Sequence, residues 1–222
     1  MVGDRFRTYL VPLGLIAGLA LLVGVVRAQR AATAPAPGGV RVVGKISDAD
    51  RAATFTFDAS IAPADRDAIL AAVAHANPQA QALVAAVDGL VDLHVGAPGA
   101  SAVGLTASRP DGRYDVTVDL GLVARRYGQR GIDRTVLHEL GHVIDFALVP
   151  EDLDATLDAR IPAGYGCDEQ LTGSCAAREE RFAESFAKWA TGDIGVDLYL
   201  GYKVPPPNDL AAWGAPLAKL LR

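Results

Sequence analysis

The sequence predicts one α+β domain over residues 40–222, and three observations carry that expectation. Half of the 222 residues are apolar and 21% are charged, enough to bury a core and too apolar for a disordered chain. Short stretches alternate apolar with polar residues, the period of half-buried strands. Longer stretches repeat apolar residues at three- and four-residue spacing, the period of helices that bury one face.

The elements follow in order. "RVVGKI" (41–46) and "ATFTFD" (53–58) alternate as short strands. "PADRDAILAAVAHA" (63–76) and "PQAQALVAAVDGL" (78–90) read as two helices that begin on prolines and flank a break at Asn77-Pro78. "VDLHVG" (91–96) and "YDVTVDLG" (114–121) are strands, separated by a stretch rich in turn formers. A helix is expected over about 133–148, with Asp133 as its N-cap. A loop from Pro150 carries the cysteines. A strong helix covers 176–191, "AAREERFAESFAKWAT", and stops at Gly192. After "VPPPND" a short helix closes the chain. His75, at a helix end where an imidazolium suits the dipole, and His94, within a strand, are expected to be structural.

The first 39 residues differ from the rest. Arg5 and Arg7 precede an uncharged apolar run at 10–26, without the polar face that a buried core helix would show. Residues 1–28 therefore read as a signal peptide or a signal anchor, with Val26-Arg27-Ala28 as the small-residue cleavage site in the first case. Residues 29–39, rich in Pro, Ala and Gly, are a linker. Either outcome exports the rest of the chain, secreted or anchored to the membrane through residues 10–26. The two cysteines, Cys167 and Cys175, suit that compartment. Their spacing is wrong for a C-x-x-C redox or zinc motif, and in an oxidising environment they close a small disulfide loop. A net charge of −5 and the lack of any basic run exclude the electrostatic footprint of nucleic-acid binding.

"TVLHELGHVIDF" (135–146) concentrates the chemistry. Residues four apart share one helix face, so His138 and His142 aim two imidazole nitrogens at one point, as tetrahedral zinc requires. Glu139 stands beside them, placed to take a proton from a water that the metal acidifies. This is the H-E-x-x-H pattern. The competing reading is two ordinary, satisfied histidines. Val136, Leu137, Leu140, Val143 and Ile144 weigh against it, because they give a wide apolar face that buries the motif. Gly141, costly in a helix interior, makes sense where a second backbone packs closely.

A catalytic zinc keeps three protein ligands. Asp145 and Leu148 stand where a glycine and a third histidine would make a metzincin, and no histidine follows His142. A downstream carboxylate must close the site. Glu180 and Glu184, four apart on the 176–191 helix, are both candidates, and Phe182, Phe186 and Trp189 seat that helix.

"HELGHVID", a loop with Tyr-Gly, and then "ERFAESFA" resemble the catalytic domain of the anthrax lethal factor family, which are gluzincin metallopeptidases. The resemblance spans about 114–190. It implies a small zincin-like α+β fold with a mixed or antiparallel sheet, an active-site helix and a downstream glutamate-bearing helix. It implies one Zn2+ held by His138, His142 and Glu180, with Glu139 as general base. Asp145 and Glu184 would orient the ligand histidines, and Tyr165, in "AGYGC", would stabilise the oxyanion. The substrate implied is a polypeptide, lying extended against a sheet edge at 114–121. The expected protein is thus a monomeric, exported zinc endopeptidase. The alternative is a catalytically inactive binding module of the same fold at the cell envelope, against which the intact Glu139 argues. A purely structural zinc would need a fourth ligand, and no further Cys or His is available for it.

Overall fold

Alternating residues pair into one mixed sheet, and helices cover its apolar face. The computed structural model describes residues 55–99, 102–164, 176–196 and 203–221. The expected strand at 41–46, the segment at 1–39, Tyr165, Cys167 and Cys175 lie outside the described residues. Strands β1 (Thr56–Phe57), β2 (Val91–Val95), β3 (Gly104–Ser108) and β4 (Tyr114–Val118) lie in the order β1-β2-β4-β3. β2 runs parallel to β1 and β4, and β3 is antiparallel to β4. The register sets Leu93 beside Val116 and Val95 beside Val118. Val91, Leu93, Val116 and Val118 are buried, so the alternation turns Asp92, His94, Asp115 and Thr117 to the opposite face. There Arg109 and Arg113 pair with Asp92 at 2.6 and 2.5 Å. His94 sits between Asp58 and Asp115 at 3.6 and 3.5 Å.

β3 falls in the stretch expected to be a connection. Its partner turn is Pro110-Asp111-Gly112: the Arg109 amide donates to the Arg113 carbonyl (2.8 Å), and the Gly112 amide to the Arg109 carbonyl (3.0 Å). β4 ends at Val118 rather than at residue 121, because Asp119 caps a helix by accepting the Leu122 amide at 2.8 Å. β4 has a strand on each side, which corrects the expectation of a sheet edge at 114–121. Among the described residues the edge strands are β1 and β3.

Six α-helices are present among the described residues: α1 (Pro63–Ala74), α2 (Pro78–Val87), α3 (Leu120–Leu148), α4 (Glu151–Asp158), α5 (Arg178–Thr191) and α6 (Leu210–Gly214). Asn77 caps α2 through the Ala80 amide (2.9 Å), and its own side-chain amide donates to the Trp189 carbonyl (2.8 Å). The break before α2 thereby also fastens the end of α5. α3 starts well before residue 133 and bends at Gly128 (φ 63°, ψ −155°), a conformation that glycine takes without steric cost. Asp133 is inside α3 and is not its N-cap. Its carboxylate accepts from Gln129 (2.7 Å) and pairs with His75 (3.0 Å).

α4 replaces part of the expected loop after Pro150. Glu151, Asp152 and Asp154 fill its first turn, where carboxylates suit the positive end of the helix dipole. Trp213 of α6 packs on Phe182 (ring centroids 5.6 Å apart) and donates to the Leu157 carbonyl (3.3 Å). α5 stops at Gly192, as its sequence predicts, with the Gly192 amide bonded to the Lys188 carbonyl at 2.8 Å. α3 and α5 pack closely at Gly141. A Cβ there would stand 3.1 Å from Ala183 Cα and 3.2 Å from the Phe186 ring, so a side chain would need α5 to give by a few tenths of an ångström. Among the described residues, no helix is long and apolar enough to cross a membrane.

Candidate metal centre

Helical spacing on α3 puts His138 and His142 one turn apart, and close packing at Gly141 brings the first turn of α5 against them. His138 Nε2 lies 3.1 Å and His142 Nε2 3.4 Å from the same oxygen, Glu180 Oε2. The donor atoms of these three residues all fall within 4.8 Å of one another. The imidazoles meet edge to face, with centroids 4.9 Å apart. Both histidine side chains are buried, while that of Glu180 is 34% exposed, so the cluster opens toward solvent on the α5 side. Two imidazoles and a carboxylate converging in this way could hold a metal ion. Glu184, one turn further along α5, stays outside the cluster. Its Oε2 faces the opposite ring nitrogen, His138 Nδ1, at 3.4 Å.

Burial and the facing carboxylates set the electrostatics of the cluster. Burial alone would strip His138 of its proton, but hydrogen bonds to Glu180 and Glu184 and the charge of Glu139 outweigh it and raise the pKa to about 10. Burial likewise opposes the charge of Glu180, yet His142 and His138 hold its carboxyl well below the ordinary value. A metal ion would take the place of that proton, because metal binding requires the unprotonated imidazole.

Glu139 is 5% exposed, and burial pushes its carboxyl up against the opposing charges of His138 and His142. β3 holds it in place. Thr106 Oγ1 donates toward Glu139 Oε2 at 2.8 Å and also lies 3.0 Å from the Glu139 carbonyl oxygen. Gly104, on the same face of β3, leaves room for the carboxylate: a Cβ there would collide with Oε1 and stand 2.7 Å from Cδ.

Among the described residues, Asp145 has no hydrogen bond to a ligand histidine. Its buried carboxylate accepts from Arg178 at 2.9 and 3.2 Å, and Arg178 also bonds Asp154. Burial pushes the Asp145 carboxyl up, and Arg178 opposes that shift. The pair ties the end of α3 to the start of α5. His142 Nδ1 is buried without a hydrogen-bond partner among the described residues. Packing steadies that ring: Phe146 stacks on it at 6.0 Å, and Tyr114 stacks on Phe146 at 6.4 Å.

Behind His138 lies a cluster of buried charges. Glu184 Oε1 accepts from Arg134 Nη2 (2.5 Å) and Lys188 Nζ (2.7 Å), and Oε2 accepts from Arg134 Nε (3.3 Å). Burial draws Lys188 down to about 8 against the pull of Glu184, so it stays charged at neutral pH.

Sequence reasoning missed Gly104, Thr106, Arg134, Arg178 and Lys188. For the first two a signal existed: "VGLTAS" alternates, and Pro-Asp-Gly after it is a turn signature. Arg134 and Lys188 lie one turn from His138 and Glu184 respectively, positions that on an exposed helix would be ordinary solvated charges. No family model, curated protein or solved structure matches the chain.

Proposed function

We propose that the chain is an exported, zinc-dependent endopeptidase of zincin-like fold. The convergence of His138, His142 and Glu180 beside a buried Glu139 carries this reading. Three nitrogen and oxygen donors with one side open to solvent match a catalytic zinc site, whereas a structural site is closed by four protein ligands. The hydrophobic segment at 10–26 supports export, secreted or membrane-anchored.

Zinc held there would act as a Lewis acid on the scissile carbonyl and lower the pKa of a water. Glu139 is the group to receive the proton of that water and return it to the leaving amine. Burial raises the Glu139 carboxyl above the ordinary value, the direction that makes a carboxylate a stronger base. Thr106 fixes the direction of the Glu139 carboxylate. The outer edge of β3 offers backbone donors and acceptors to an extended polypeptide.

Metal analysis of the full chain beside Glu139→Ala tests the proposal. One zinc per chain in both, with cleavage of a polypeptide by the wild type alone, is the expected result. A metal-free wild type prepared without chelator overturns it. Zinc in both with no hydrolysis by either would favour the binding module.

A further inference from the structure

Two buried cations meet at Glu184: Arg134 is 1% exposed and Lys188 0%, and Arg134 also lies 3.8 Å from Asp193 Oδ2. Buried ion pairs give little net stability over well-packed apolar residues, so helix packing alone does not account for this arrangement.

The geometry shows what the second cation adds. Arg134 grips the carboxylate with two nitrogens, Nη2 to Oε1 and Nε to Oε2, a fork that fixes the carboxylate plane. Lys188 Nζ takes the remaining position on Oε1. The remaining position on Oε2 faces His138 Nδ1 at 3.4 Å. Each cation is in turn held from its far side. Arg134 donates to the carbonyls of Asp193 (3.0 Å) and Gly195 (3.2 Å), and Lys188 to that of Val204 (2.5 Å). The carboxylate is thereby held from turning, with Oε2 shared between Arg134 Nε and the imidazole.

We propose that Arg134 and Lys188 are positioning residues of the metal centre, holding Glu184 in the orientation that accepts the Nδ1 proton of His138 and so aiming the Nε2 lone pair at the metal. The inference rests on the zinc reading above. It adds that two residues far from any substrate set the metal affinity, and that they act through Glu184. Partners of metal-ligating histidines typically govern metal affinity by about 10–100-fold.

The test is a double-mutant cycle read on zinc binding, not on activity. Zinc dissociation constants are measured by chelator competition for the full chain, Lys188→Met, Glu184→Gln and the double variant, together with metal-free thermal midpoints. Lys188→Met is expected to weaken zinc about tenfold and Glu184→Gln about 10–100-fold. The double variant should bind no more weakly than Glu184→Gln alone, since the lysine acts through the glutamate. Unchanged zinc affinity in a destabilised Lys188→Met reduces the lysine to a packing role and overturns the inference, as does a double variant whose losses multiply. Should Lys188→Met not fold, Lys188→Gln replaces it in the same cycle: a loss of zinc affinity of about tenfold that vanishes in the Glu184→Gln background supports the inference, and unchanged affinity overturns it. A wild type that binds no zinc overturns this inference and the zinc reading together, whereas zinc-binding wild type with unaltered Lys188→Met affinity overturns this inference alone.

Discussion

On the open face of the sheet, Arg109 and Arg113 pair with Asp92 at 2.6 and 2.5 Å; between α3 and α5, Arg134 and Lys188 pair with Glu184 at 2.5 and 2.7 Å. Residue types and distances are nearly the same, but Arg109 is 38% exposed and Arg134 1%. Water screens the first group, so either partner resolvates when the other is lost, and such pairs contribute little. The second group has no water to fall back on. Losing one member leaves buried charge without compensation, which is far more costly than the pair is worth. Proximity of opposite charges therefore says little by itself; burial decides which pairs the fold depends on.

The largest effect is expected from Glu184→Ala, which leaves two buried cations with only the more distant Asp193 carboxylate. It should cost about 3–5 kcal/mol of stability in chemical denaturation. A loss no greater than that of a surface variant would mean that water reaches the cluster.

Gly104→Ala probes the β3 side of the same site. The added methyl displaces the Glu139 carboxylate rather than any backbone. Hydrolysis should fall by about 100-fold, or about 2.7 kcal/mol in the barrier, with zinc content unchanged. Full activity would remove β3 from the account of Glu139.

Acid–base behaviour separates the two regions further, because the buried His138 and Lys188 carry large shifts and every shift moves stability with pH. The folded, metal-free chain keeps a proton on His138 up to about pH 10, while the unfolded chain releases it near pH 6.5. Folded protein thus binds more protons above 6.5, and stability falls with rising pH. Lys188 acts oppositely. It loses its proton at about 8 when folded and near 10.5 when unfolded, so it restores stability above pH 8. The stability of metal-free protein, followed by its thermal midpoint, should fall between pH 6.5 and 8, by up to about 1.4 kcal/mol per pH unit, and then level off. Zinc should suppress the fall. A flat profile from 6.5 to 8 would show that His138 is not held protonated.

Gly141→Ala is a smaller perturbation with an instructive sign. Alanine is the better helix former by about 1 kcal/mol, but its methyl would press on the Ala183 backbone and on Phe186. Overpacking costs about 1–3 kcal/mol, so the variant should be less stable on denaturant unfolding; a gain would mean that α5 yields. Smallest of all is Arg109→Ala on the sheet face, where the thermal midpoint should hardly move and should show little salt dependence.

Periodicity and local chemistry were enough to read the α+β class, α1, α2, β2, the α5 helix with its stop at Gly192, and the two histidines and glutamate of H-E-x-x-H. Each of these depends on residues within a turn or two of one another, where spacing translates directly into a shared face. Gly141 was also legible, since a glycine in a helix otherwise well suited to bury implies a close neighbour. β3 was not read because its alternation is short and embedded among turn formers, and because a strand becomes one only by pairing with β4. The early start of α3 was hidden by Gly128, whose bend separates two helical stretches that together form one element. Between Glu180 and Glu184 the sequence left both open. Their four-residue spacing puts both on one face, and only the crossing of α5 over α3 turns Glu180 toward both Nε2 atoms and Glu184 toward Nδ1 of His138. The same crossing gives Asp145 to Arg178 and buries Arg134 and Lys188 around Glu184. Spacing along a helix specifies which side chains share a face, but what that face meets, and whether water is left there, is decided by segments dozens of residues away.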